Sequence, residues 1–225
     1  MLQTSKQLCD LTDLLGAQFK QARDAYALSL RLSQMPHPMA HLIELFKKDS
    51  YTESKEISIA PYVPIVPRVW MGFEKKDDIS LTLRPIEPRL SKDADECDLD
   101  IAITNADQSR WLTIEVELDF QFLRPAEFLT VSIFGSFMHA ATENQDDPQA
   151  GVQILYHDMD GTRHDLFPQQ VPMKLPSGFG QARADLKTAL PVESRINFDR
   201  SAILAVFLPT NISCIQISDF AVLFE

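Results

Sequence analysis

Trp111-Leu112-Thr113-Ile114-Glu115-Val116-Glu117-Leu118-Asp119-Phe120-Gln121-Phe122 alternates polar and apolar side chains with hardly a fault. Even positions carry Leu112, Ile114, Val116, Leu118, Phe120 and Phe122. Odd positions after Trp111 carry Thr113, Glu115, Glu117, Asp119 and Gln121. Successive strand side chains point to opposite faces, so the stretch reads as a long strand with one apolar face and one acidic face. A break at Pro125 and a second strand, Phe128 to Phe134, follow it. The remainder of the chain must cover that apolar face.

Outward from this strand the same period recurs. Ile79, Leu81 and Leu83 alternate with Ser80, Thr82 and Arg84, and Leu99, Ile101 and Ile103 alternate with polar neighbours. Val152 to His157 forms another run, and Asp160-Gly161 after it is a hairpin signal. Ser201 to Leu208 reads as a strand buried on both faces. Cys214 to Phe224 alternates, slips phase near Ser218-Asp219 and resumes, which a bulge explains. About eight to ten strands without helical pattern between them predict a mainly β fold, an antiparallel β-sandwich or jelly roll, over 79–225.

Residues 1–50 read as a helical segment. Leu8, Leu11, Leu15, Phe19, Ala22, Tyr26 and Leu30 make one face of a helix over about 4–34, ended by Pro36 and Pro38. That helix is expected to dock the domain or to pair two copies. A short helix, Met39 to Lys48, follows it. Residues 51–78 contain Pro61, Pro64 and Pro67, the spacing of an extended connector or edge strand.

Composition narrows the partners. A formal net charge of −11 and a pI near 4.9 exclude a basic nucleic-acid surface and electrostatic docking on anionic lipid. Three scattered cysteines, Cys9, Cys97 and Cys214, form neither a disulfide framework nor a zinc pattern. With no apolar leader and no apolar run long enough for a bilayer, the reading is a cytoplasmic protein with reduced thiols.

Four groups of residues have the makings of a site. Glu115, Glu117 and Asp119 fall in a row on one strand face, ~6.5–7 Å apart per step, a separation at which paired carboxylates share glycoside hydrolysis. The simpler reading is a charged outer face paired to cross-strand cations. Asp93, Asp95, Asp98 and their neighbours form an acidic loop of the kind that holds Ca²⁺, although no EF-hand spacing is present. A two-residue turn at Asp160-Gly161 would set His157 opposite His164, two ligands of a metal site lacking its third. Finally, Trp70, Trp111 and Tyr156 are the aromatic side chains that could stack on a ligand.

Glu115-x-Glu117-x-Asp119 resembles the catalytic strand of family 16 glycoside hydrolases, with the middle and last residue types exchanged. The strand pattern and the ending Ile215-x-Ile217-Ser218-Asp219-Phe220-x-Val222 are similar to galactose-binding-like and carbohydrate-binding-module jelly rolls. That second resemblance implies a non-catalytic module for a carbohydrate or protein partner, binding through Trp70, Trp111 and Tyr156 and needing no cofactor. The first implies a glycan-active hydrolase using Glu115, Glu117 and Asp119. A structural domain of a longer polypeptide is the third reading.

Overall fold

The computed structural model describes residues 40–51, 56–76, 78–89, 93, 95–118, 126–139, 148–157, 161–176, 181–190 and 202–224. All of them fall in one unit, Pro38–Glu225. The helix expected over 4–34, with its docking or pairing role, lies outside the described residues. So do Asp119 and the tail of the alternating stretch.

Two antiparallel sheets make the domain a β-sandwich. The first has the order β1-β4-β5-β13-β7-β11, from strands β1 (Ile57–Ile59), β4 (Ser80–Ile86), β5 (Asp98–Thr104), β13 (Ile212–Phe224), β7 (Phe128–His139) and β11 (Ala182–Ala189). The second has the order β10-β8-β12-β6-β3-β2, from β10 (Val171–Lys174), β8 (Gln149–His157), β12 (Ala202–Leu208), β6 (Leu112–Leu118), β3 (Val69–Phe73) and β2 (Pro64–Val66). Strand β9 (Arg163–Asp165) pairs with β8 off that path. Alternation carries Leu83, Ile101, Ile215, Phe220, Ile133 and Phe137 to the inner side of the first sheet. It carries Met71, Ile114, Val116, Leu204, Val206 and Ile154 to the inner side of the second, and all of these are buried.

The central strands sit where alternation placed them. β12 lies between β8 and β6, and five of its seven residues are buried, as an all-apolar run requires. The phase slip in β13 is a real irregularity: Ile217 faces Gly135, while Asp219 already faces Phe134. Five strands carry too little periodicity to be read from sequence. Strands β1, β2 and β10 are three or four residues long, and Pro64 and Pro172 lie on edge strands, where a missing N–H costs no ladder bond. β11 alternates only Ala and Leu against charges, and β3 is interrupted by Gly72. The segment 51–78 thus supplies two edge strands and one internal strand, β3.

The short helix expected over Met39–Lys48 is shorter. Helix α1 spans Ala40–Glu44, and a 3-10 turn follows at Lys48–Ser50. Between them the chain leaves helix to clip onto the start of β5. Cys97 N–H donates to Phe46 O at 2.8 Å, Lys48 N–H donates to Asp95 O at 2.9 Å, and Lys47 forms a β-bridge with Glu96. Tyr51 O–H, buried, donates to Leu45 O at 2.5 Å and closes the turn. Among the described residues no helix is long and apolar enough to cross a membrane.

Candidate functional site

The outer face of the second sheet gathers four of the sequence-derived candidates, Trp70, Trp111, Glu115 and Glu117. Register sets Trp70 opposite Glu115 and Gly72 opposite Thr113, so these side-chain positions share one face, with Glu117 the next outward residue on β6. The acidic face expected of β6 is not a bare charged surface. Glu115 is only 7% exposed. Its Oε2 accepts from Trp70 Nε1 at 2.6 Å, and its Oε1 accepts from Thr113 Oγ1 at 2.7 Å. Two donors on one buried carboxylate make it a fixture that orients the Trp70 ring. A hydrolase would need such a carboxylate free to take or give a proton. Asp119 lies outside the described residues.

Tyr62 completes the group and was not singled out from sequence. Its backbone sits at φ 60, a left-handed conformation that costs a bulky aromatic residue about 1–2 kcal/mol. Tyr62 N–H is nonetheless held by Met71 O at 2.9 Å. In this pose the ring lies over Gly72, where a Cβ would come within 3.0 Å of Tyr62 Cε1 and closer still to Thr113 and Glu115. The tyrosine hydroxyl then accepts from Trp111 Nε1 at 2.9 Å. The only sequence signal for this was Pro61-Tyr62 ahead of a strand with an internal glycine. Strained residues collect at ligand sites because the surrounding contacts fix them there.

Tyr62 is 53% exposed, and Trp70 and Trp111 are half-buried, so all three rings keep solvent-facing surface. Ile203 and Phe207 on β12, half-buried, extend the same strip, since Ile203 faces Glu117 and Phe207 faces Thr113. On the far side the strip is bounded by the segment after β9. The Gln153 side chain, buried, donates to Phe167 O at 2.8 Å and accepts from Phe167 N–H at 3.0 Å, tying that segment across β8. At the other end Ser109 Oγ donates to Trp111 O at 2.5 Å. Beside it, a hydrogen bond from Lys76 first of all, and Arg110 more weakly, hold the Glu74 carboxyl below its usual range.

The other candidates do not join this site. Tyr156 points to the opposite face of the sheet from Leu155, which is aligned with Ile203 and Glu117, and it stacks on His164 with ring centroids 5.3 Å apart. The pairing expected of His157 with His164 is corrected by one residue. His157 faces Arg163 and Tyr156 faces His164, so the connection spans 158–162 and the two imidazoles leave opposite faces. Gly161 still takes the left-handed conformation expected of the turn, at φ 82.

The acidic loop is dispersed rather than convergent. Asp98, 2% exposed, accepts from Ser218 Oγ at 2.7 Å and Arg89 N–H at 3.2 Å. Asp93 Oδ1 accepts from Asp95 N–H at 3.1 Å. Asp100 pairs with Arg84 at 2.6 Å. Among the described residues no three His, Cys, Asp or Glu side chains gather to hold a metal ion. Cys97 and Cys214 are free thiols, and burial pushes them up to about 11 and about 12, which leaves little reactive thiolate at neutral pH.

No protein-family model matches the chain, and no curated protein matches it. Solved structures do resemble it, and most of them are carbohydrate-binding modules, of families 22, 11 and 16. The C-terminal family 22 module from Clostridium thermocellum aligns over 80% of this chain and 92% of its own, with a TM-score of 0.42 and 10% identity. The family 11 module of a cellulosomal cellulase from the same organism aligns over 77% and 97%, with a TM-score of 0.42 and 7% identity. The enzymatically active domain of tailspike protein 4 of bacteriophage CBA120 aligns over 71% of this chain at 9% identity and a TM-score of 0.46. The chain spans 20% of that structure's length.

Proposed function

We propose that this protein is a jelly-roll glycan-binding module without catalytic chemistry of its own, and that Tyr62, Trp70 and Trp111 form its sugar platform. The observation that carries this is the fixing of solvent-facing aromatic rings. Tyr62 is held in a strained backbone pose to meet Trp111, and a buried carboxylate positions Trp70. Rings already immobile in the free protein lose little rotamer entropy on binding, and the apolar face of a pyranose stacks on such surfaces. The carboxylate row supports binding over hydrolysis, because Glu115 is committed to Trp70 and Thr113.

Affinity electrophoresis through gels containing soluble polysaccharides tests this. Wild type should be retarded by at least one polysaccharide and should release no reducing sugar from it. Trp111→Ala removes both a stacking ring and the donor that holds Tyr62. At about 1–3 kcal/mol for a stacking aromatic contact, retardation should fall about 5-fold or more while the urea midpoint moves little. Tyr62→Ala should weaken binding similarly and should move the urea midpoint little, since the ring is largely exposed and alanine keeps the same left-handed backbone cost. Undiminished binding in both variants would remove the platform. Turnover by wild type that is lost in Glu115→Gln would replace the module with a hydrolase.

A further inference from the structure

On the reading of this face as a glycan platform, we infer that Glu117 sets the specificity of the site, selecting neutral, hydroxyl-rich polysaccharides and rejecting uronic-acid polymers. Glu115 and Glu117 are two residues apart on one face of β6, yet their surroundings differ. Glu115 is buried and takes hydrogen bonds from two side chains. Glu117 is half-buried, and its carboxylate has no hydrogen bond or ion pair to any described residue.

Its backbone is nevertheless fixed. Glu117 N–H donates to Arg68 O at 2.9 Å, and Ile203 is its partner across the sheet. Arg68 itself is at φ 70, the second non-glycine left-handed residue flanking β2 after Tyr62. Both turns around that edge strand are therefore bent to bring backbone onto this strip.

A half-buried carboxylate without a partner has surrendered part of its hydration and gained nothing in exchange. It sits beside Ile203 and diagonal to Trp70, on a face whose other carboxylate, Glu115, is already committed to Trp70 and Thr113. Along β6, Trp111 to Glu117 spans roughly 20 Å at the rise of a strand, room for several sugar units stacked in line. A ligand laid on the rings would bring ring hydroxyls to Glu117. Those hydroxyls are donors, and hydrogen bonds to an ionised acceptor are about twice as strong as neutral ones. A uronate at the same position would instead set carboxylate against carboxylate in a poorly hydrated place, and the chain's net charge of −11 adds to the repulsion.

The test compares wild type with Glu117→Gln by affinity electrophoresis on neutral probes (hydroxyethylcellulose, xylan and mixed-linkage glucan) and on polygalacturonate. Urea unfolding of both proteins serves as the fold control. Wild type should be retarded by a neutral probe and not by polygalacturonate. Glu117→Gln, which keeps size and hydrogen-bonding capacity but loses charge, should bind that neutral probe about 10-fold more weakly and should begin to bind polygalacturonate. Wild type that binds a neutral probe, with a glutamine variant unchanged on both kinds of probe, would overturn the role of Glu117 and leave the platform standing. Wild type retarded by no probe would overturn the platform and this inference together. Wild type that prefers polygalacturonate would overturn the inference alone.

Discussion

Gly135→Ala is expected to destabilise the fold by about 3 kcal/mol, the upper part of the range for forcing atoms into a filled core. For a domain of this size that is a fall in melting temperature of about 10 °C. Gly135 lies in β7, an internal strand of the first sheet between β13 and β11, against the irregularity of β13. A Cβ there would stand 2.2 Å from the carbonyl oxygen of Gln216 and 3.3 Å from Ile217 Cα. These are backbone atoms of a strand paired on both sides, with β5 and β7, so no side-chain rotation can give way. The bulge that lets β13 return Phe220 and Val222 to the core is what brings the Gln216 carbonyl over Gly135. Gly161 provides the contrast. Nothing lies near its missing side chain, only its φ of 82 opposes alanine, and Gly161→Ala should cost about 1 kcal/mol. Urea denaturation of both variants measures the difference. A Gly135→Ala protein as stable as Gly161→Ala would mean that β13 does not cross β7 in this register.

The pH dependence of stability should carry a component that runs opposite to ordinary acid denaturation. Burial pushes the Asp219 carboxyl up to about 7, against the lowering influence of Arg183 and of the Phe220 N–H. In the unfolded chain an aspartate titrates near 3.9. Between those values the folded state holds a proton that the unfolded state has released, so the contribution of Asp219 is complete below about pH 4 and is lost as pH rises through about 7. Three pH units at about 1.4 kcal/mol each set a ceiling of roughly 4 kcal/mol. Asp219→Asn removes the titration while keeping the shape. Its stability relative to wild type should therefore climb steadily from pH 4 to pH 8. Urea midpoints at half-unit intervals give that difference curve directly, and parallel curves for the two proteins would show that Asp219 is not desolvated.

What the sequence disclosed follows from which residues were forced to alternate. β6 and β13 were placed by their period-2 patterns, including the slip between Ile217 and Asp219, and β8 and β12 by their apolar runs, because each of these strands buries much of its side-chain surface. Edge strands need bury little and may carry proline or charge, so β2, β10 and β11 left no such pattern. The site was half legible. Trp70 and Trp111 stood out as the only tryptophans, but Tyr62 works through a left-handed turn and a glycine ten residues further on, a relation that no spacing rule encodes. The hairpin shows how far one residue carries. Shifting the partner of His157 from His164 to Arg163 moves an imidazole to the other face.

The place of β13 has a consequence for the order in which this domain can be made. Among the described strands it comes last along the chain, yet it lies between β5 and β7 and joins β1-β4-β5 to β7-β11. During synthesis those two groups emerge first and have no contact with each other inside the sheet. Each presents an unpaired edge towards the gap that β13 will fill. The first sheet therefore closes in one late step, governed by long-range pairings such as Ile215 with Ile101 and Phe220 with Ile133. Folding of this kind is slow for the length of the chain, and until it is finished the open edges of β5 and β7 are where a nascent copy is exposed to mispairing with another.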